Sequence, residues 1–202
     1  MMPTRRWLLR SAAAFPLLTP FAGRAADDPR MTERAYGRAN AAVTVDEYFS
    51  LTCPHCAAFT RDTMPRVRTE LIAPGKLRIV FRDYPLDQLA LTAAAIARAL
   101  PADRYEPFIT TLLTTQDRWA YARDIDPKEE LWKLAAAAGM GRNLFDLTVA
   151  DDGLKTFILA VQDEGEKKWG VHSTPTFIIK GKAHAGALSF DTFSGLVAAA
   201  AA

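Results

Sequence analysis

Apolar and polar positions alternate from Val43 to Phe49, so a strand there puts Val43, Val45, Glu47 and Phe49 on one face. From about Ala57 to Ile72 the spacing changes to that of a helix, with Phe59, Val67, Leu71 and Ile72 on its apolar side and a kink expected at Pro65. The turn Ala73-Pro74-Gly75-Lys76 leads to a second strand, Leu77 to Tyr84, which Pro85 ends. Strand, helix, strand in this order predicts a parallel pair joined by a right-handed crossover.

A long stretch without strand character follows. Leu89, Ala93, Ile96, Ala97 and Leu100 recur at helical spacing up to Pro101, and Tyr105, Phe108, Ile109 and Leu112 do the same. Asp126-Pro127-Lys128-Glu129 reads as a capping box, opening a helix that ends near Gly139. A short helix around Asn143 to Val149 and a long one from Asp152 to Lys168 complete an inserted helical subdomain over about residues 87–168. These stripes are core-facing amphipathy and carry no chemistry. Val171 to Ile179 then reads as strand, with Lys180-Gly181-Lys182 as a turn and Ala183 to Ala187 as a returning hairpin arm. Ser189 caps a last helix whose alanine tail is expected to fray. Ala26 to Ala42, polar and short, is expected to be a lead-in lying on the domain.

Composition changes the picture mainly at the N-terminus. The first 25 residues hold four arginines and no acid, and Arg5-Arg6-Trp7-Leu8-Leu9-Arg10 resembles a twin-arginine export signal. Its apolar stretch, broken by Pro16 and Pro20, falls short of the roughly 18 residues a membrane span needs. Gly23-Arg24-Ala25 places cleavage after about Ala25. The expected mature chain, 26–202, then has 21 basic and 23 acidic residues, which leaves no basic excess to suggest nucleic acid. Its 177 residues suit one domain.

The only two cysteines stand in Cys53-Pro54-His55-Cys56, where the first strand hands over to the first helix. Unpaired N–H groups and the positive end of the helix dipole favour a thiolate there. C-x-x-C thiols at helix N-termini fall from about 8.5 to between about 3.5 and 7.5. Only the dithiol state contains that thiolate, so its stabilisation makes the disulfide easier to reduce. Pro54 suits the first helical position, and His55 as imidazolium would add positive charge. A zinc site lacks partners, because there is no second cysteine pair and His172 and His184 have no ligand spacing. Haem attachment needs a histidine where Ala57 stands. An inert disulfide would add little stability across so short a loop. Redox chemistry remains, with Glu47 as a carboxylate behind the cysteines, either solvated on an edge strand or buried with a raised pKa and relaying protons to Cys56.

From about Ala35 to Ala200 the chain resembles the DsbA family of bacterial periplasmic thiol:disulfide oxidoreductases, on the strength of Cys53-Pro54-His55-Cys56, an acid six residues before the first cysteine, and Ser173-Thr174-Pro175-Thr176-Phe177 near the end. The resemblance implies an α/β thioredoxin-like fold with a mixed central sheet, β-α-β then β-β-α, and an inserted all-helical subdomain. It makes Cys53 the exposed attacking sulfur, Cys56 the buried resolving one, His55 the tuner of reduction potential and Glu47 the buried acid. Thr174-Pro175 corresponds to the family's cis-proline loop, which offers backbone hydrogen bonds to an extended substrate. The expected activity is oxidation of reduced or unfolded exported proteins in the periplasm, by a monomer that a DsbB-like, quinone-linked membrane partner reoxidises. No metal or organic cofactor is implied. Threonine before this proline also occurs in isomerase relatives, so an isomerase or reductase is the alternative within the same chemistry. A peptide-binding or chaperone-like module with an incidental disulfide is the alternative outside it.

Overall fold

The computed structural model describes residues 28–202, and the expected leader lies outside them. Five strands form one mixed sheet in the order β1-β3-β2-β4-β5: β1 (Arg34–Tyr36), β2 (Val43–Phe49), β3 (Leu77–Asp83), β4 (Thr176–Ile179) and β5 (Lys182–Ala185). β2 and β3 run parallel, as the crossover requires, and the remaining pairs are antiparallel. The lead-in is therefore more than a cover, because Arg34–Tyr36 pairs with β3 and closes one edge of the sheet. β4 is shorter than the sequence suggests. Val171 to Pro175 form a loop, and the ladder begins only after the proline.

Between β2 and β3 the chain runs through α1 (Pro54–Ala58), a π-helical turn Phe59–Thr63, α2 (Met64–Val67) and a second π-helical turn Arg68–Ile72. Pro65, at the start of α2, has no N–H to give the preceding turn, and the expected break takes the form of a widened turn ahead of it. Six helices separate β3 from β4: α3 (Gln88–Ala99), α4 (Ala102–Thr114), α5 (Gln116–Trp119), α6 (Pro127–Ala137), α7 (Arg142–Val149) and α8 (Asp152–Trp169). A last helix, α9 (Phe190–Ala201), is capped by Ser189 and continues through the alanine tail, with Ala200 buried.

One hydrophobic cluster joins the β2 face carrying Val45 and Phe49 to α9 and to residues from most of the intervening helices, Leu112, Leu131, Phe145 and Ile158 among them. A smaller cluster of Tyr48, Tyr84, Val171 and Ile178 fills the other face of the sheet, with Trp169 beside it. Behind the edge strand a buried ion pair, Arg98 to Asp83, also receives the Tyr105 hydroxyl, and Arg98 donates to the carbonyls of Arg30 and Thr32 at 3.0 Å each. That junction fastens the lead-in to α3.

Candidate active site

β2, third of the five strands, delivers the cysteines from the centre of the sheet. After Phe49 the chain turns, the Cys53 N–H donating to the Ser50 carbonyl at 3.1 Å, and Cys53 becomes the N-cap of α1 with extended backbone (φ −80°, ψ 119°). Pro54 takes the first helical position. The helix's first amides have no partner within the helix, and those of His55 and Cys56 lie close enough to help lower the Cys53 pKa, although the Cys53 side chain forms no cap bond.

The two sulfurs are free thiols in very different surroundings. The Cys56 thiol donates to Cys53, and this bond does most to lower the Cys53 pKa from an ordinary 9.0 to about 5; burial opposes it, while Thr174 and the Cys56 and His55 amides assist. Cys56 is pushed well above its ordinary value, first by burial and then by its bond to Cys53. Cys53 is less open than an attacking sulfur was expected to be, at 4 % exposed against 0 % for Cys56. Its cover comes from the loop before β4, where Thr174-Pro175 is a cis peptide bond and the Thr174 carbonyl accepts the Cys53 S–H at 3.2 Å. The Thr174 hydroxyl is buried without a partner among the described residues, free to turn to the sulfur once that proton has left. The His55 ring is exposed and makes no hydrogen bond among the described residues, so His55 reaches Cys53 through its backbone.

Glu47 lies on the central strand, 3 % exposed, between Phe81 and Phe177 on the neighbouring strands. Burial chiefly, then the charge of Glu106, raises it to about 8, with Arg68 pulling the other way. Arg68 donates to Glu106 at 2.5 Å and to the Thr110 hydroxyl at 2.7 Å. A cavity of about 10 Å³ lies among these groups, the size that admits about one water. The charge of Glu47 also raises the Cys56 thiol, so the two are electrostatically linked. No group of acids, histidines and cysteines suited to a metal occurs among the described residues. A wider cleft of about 660 Å³, bordered by Leu71, Phe190 and Val197, includes neither cysteine.

Sequence reasoning missed the side chains that hold the approach to Cys53. Gln116 Nε2 donates to the carbonyls of Leu51 (2.7 Å) and Cys53 (3.1 Å), and the Tyr121 hydroxyl donates to that of Thr52. The Thr52 hydroxyl donates to Asp87 at 2.7 Å, while the other Asp87 oxygen caps α3. A glutamine in a polar Thr-Thr-Gln-Asp stretch gives no signal of this.

Comparison with known proteins agrees with the geometry. A family model described as Thioredoxin matches residues 30–199. A Rickettsia conorii protein provisionally named a protein-disulfide oxidoreductase is 28 % identical over 162 residues, 80 % of this chain and 57 % of that protein; a Rickettsia prowazekii protein of the same provisional name is 27 % identical over 72 % of this chain and 53 % of its own length. The chain thus spans little more than half the length of these curated relatives. Among solved structures, Wolbachia pipientis alpha-DsbA1 superposes with a TM-score of 0.78 at 25 % identity, covering 84 % of this chain and 91 % of its own. Oxidised BdbD from Bacillus subtilis does so with a TM-score of 0.73 at 18 % identity, over 84 % and 92 %. With a cysteine pair at the head of α1 facing a cis-proline loop, and a matching model spanning nearly all the described residues, the chain belongs to the thioredoxin family, and its structural neighbours within that fold include DsbA proteins.

Proposed function

We propose that this chain is a DsbA-type thiol:disulfide oxidoreductase that introduces disulfides into exported proteins through Cys53 and Cys56. The observation that carries this reading is the asymmetry of the pair: Cys53 is held near pKa 5 while Cys56 is kept a thiol. Starting from the Cys53–Cys56 disulfide, a substrate thiolate attacks the Cys53 sulfur. The S–S bond breaks, and Cys56 leaves with the electron pair and takes a proton. Glu47, protonated at neutral pH and linked to Cys56, is the group suited to supply it. A second substrate thiolate then attacks the substrate sulfur of the mixed disulfide and expels Cys53 as a thiolate. The substrate has lost two electrons and the two thiol protons; the protein has gained both electrons and one proton, and the other proton goes to solvent. Leaving is easy because the leaving sulfur is a weak base.

The arginine-rich first 25 residues support export to the periplasm with cleavage after about Ala25, and quinone-linked reoxidation by a DsbB-like membrane partner follows from the family resemblance. Action as a monomer belongs to the same proposal. Thr174 before Pro175 is the one feature favouring an isomerase or reductase.

Equilibration with a glutathione buffer distinguishes these roles, together with stoichiometric oxidation of a reduced, unfolded two-cysteine protein by the disulfide form. An oxidase is reduced by mild glutathione and transfers its disulfide completely, and Cys53→Ser abolishes transfer. A disulfide that resists reduction by millimolar glutathione, or transfer that survives Cys53→Ser, overturns the proposal.

A further inference from the structure

Three consecutive carbonyls, those of Leu51, Thr52 and Cys53, lead into the nucleophile, and side chains from the helical layer hold all three. Gln116 spans the first and third, and the Tyr121 hydroxyl takes the middle one. Gln116 is 6 % exposed and its amide is committed to this loop, whereas Tyr121 is 55 % exposed and reaches in with its hydroxyl alone. The Cys53 carbonyl also accepts the Ala57 N–H at 3.1 Å, so Gln116 grips the residue that starts α1.

We infer that Gln116 and Tyr121 are positioning residues for the reaction of Cys53: they hold residues 51–53 so that the sulfur stays at the mouth of α1, and they occupy carbonyl oxygens whose negative ends would otherwise oppose a thiolate. The inference rests on the reading of Cys53 as nucleophile. Its physical basis is that backbone donors at a helix N-terminus favour an anion only when it lies on their axis, within the first turn. A carbonyl stripped of its donor leaves its partial negative charge uncompensated within two residues of the sulfur. The groups able to change charge around Cys53 include Cys56 and, behind it, Glu47 from the core side, Asp87, Asp117 and Tyr121 from the helical side, and the exposed His55, with Arg61 on the same surface. Gln116 is uncharged, so replacing it alters the site without introducing or deleting a titration.

The test is the ultraviolet absorbance of the thiolate against pH, with the glutathione equilibrium, for wild type, Gln116→Ala and Tyr121→Phe, alongside melting of each variant in both redox forms. A positioning role raises the Cys53 pKa by about one unit in Gln116→Ala and by less in Tyr121→Phe, and moves the equilibrium toward the disulfide by roughly up to tenfold. A merely structural tie lowers melting of the dithiol and disulfide forms equally and leaves the Cys53 pKa where it was, and that result overturns the inference. If Gln116→Ala does not fold, Tyr121→Phe decides, because it removes one hydroxyl from a largely exposed ring; an unmoved pKa there overturns the inference as well. A wild-type Cys53 titrating near 9 overturns the nucleophile reading itself, whatever the variants do.

Discussion

Glu47 and Cys53 titrate in opposite senses. Glu47, raised to about 8 from 4.5 chiefly by burial, keeps a proton in the folded chain that the unfolded chain releases between those values, so its contribution to stability falls as pH rises through that window, by about 1.4 kcal/mol per unit at most. Cys53, lowered to about 5 from 9.0, contributes stability to the dithiol form that is complete above about pH 9 and is lost as pH falls through 5. The two slopes oppose each other over pH 5–8 in the dithiol, but only Glu47 acts in the disulfide. Urea unfolding of the disulfide form should therefore show stability declining from pH 5 to 8, and Glu47→Gln should flatten that decline; an unchanged slope in Glu47→Gln would assign it to other groups. The alternation of β2 made the inward face of Glu47 legible. The family resemblance brought the Thr174-Pro175 loop against the cysteines, but not how nearly it closes over Cys53, which depends on contacts made across 121 residues of chain.

Element boundaries followed the apolar periodicity wherever a helix or strand had its own stripe, as in α3, α4, α8 and β2. They failed where a neighbour decides. Arg34–Tyr36 is strand only because β3 offers it a ladder, and Val171–Pro175 has a strand-like sequence but joins no ladder. Asp126 does cap α6 through the Lys128 N–H at 2.9 Å, but Glu129 pairs with Arg142 at 3.1 Å, so the box is only half formed. Gly165 also depends on a neighbour. Mid-helix glycine costs about 1 kcal/mol relative to alanine, yet α8 needs it, because a β-carbon there would overlap the Tyr48 ring on β2. Gly165→Ala should thus lower stability by about 1–3 kcal/mol in chemical denaturation, where helix propensity alone forecasts a gain.

At the scale of the molecule, helices between β3 and β4 that read as a separate subdomain share one apolar cluster with the sheet. Unfolding should therefore be a single transition, with far-ultraviolet circular dichroism and tryptophan fluorescence giving coincident midpoints, since Trp119 and Trp132 lie in the shared apolar cluster and Trp169, the last residue of α8, sits against the opposite face of the sheet. Two separated midpoints would show that the layers melt independently. Periodicity could not reveal the sharing, because it shows that a helix has an inward side and not what that side meets. The unequal depth of the two sulfurs gives the chemistry a direction. In the proposed exchange, with Cys56 wholly enclosed and Cys53 retaining a sliver of surface, every covalent visitor would be admitted at one residue and released from the same one. A captured chain would then be joined in only one way, with the enclosed sulfur as an internal latch that meets no visitor itself.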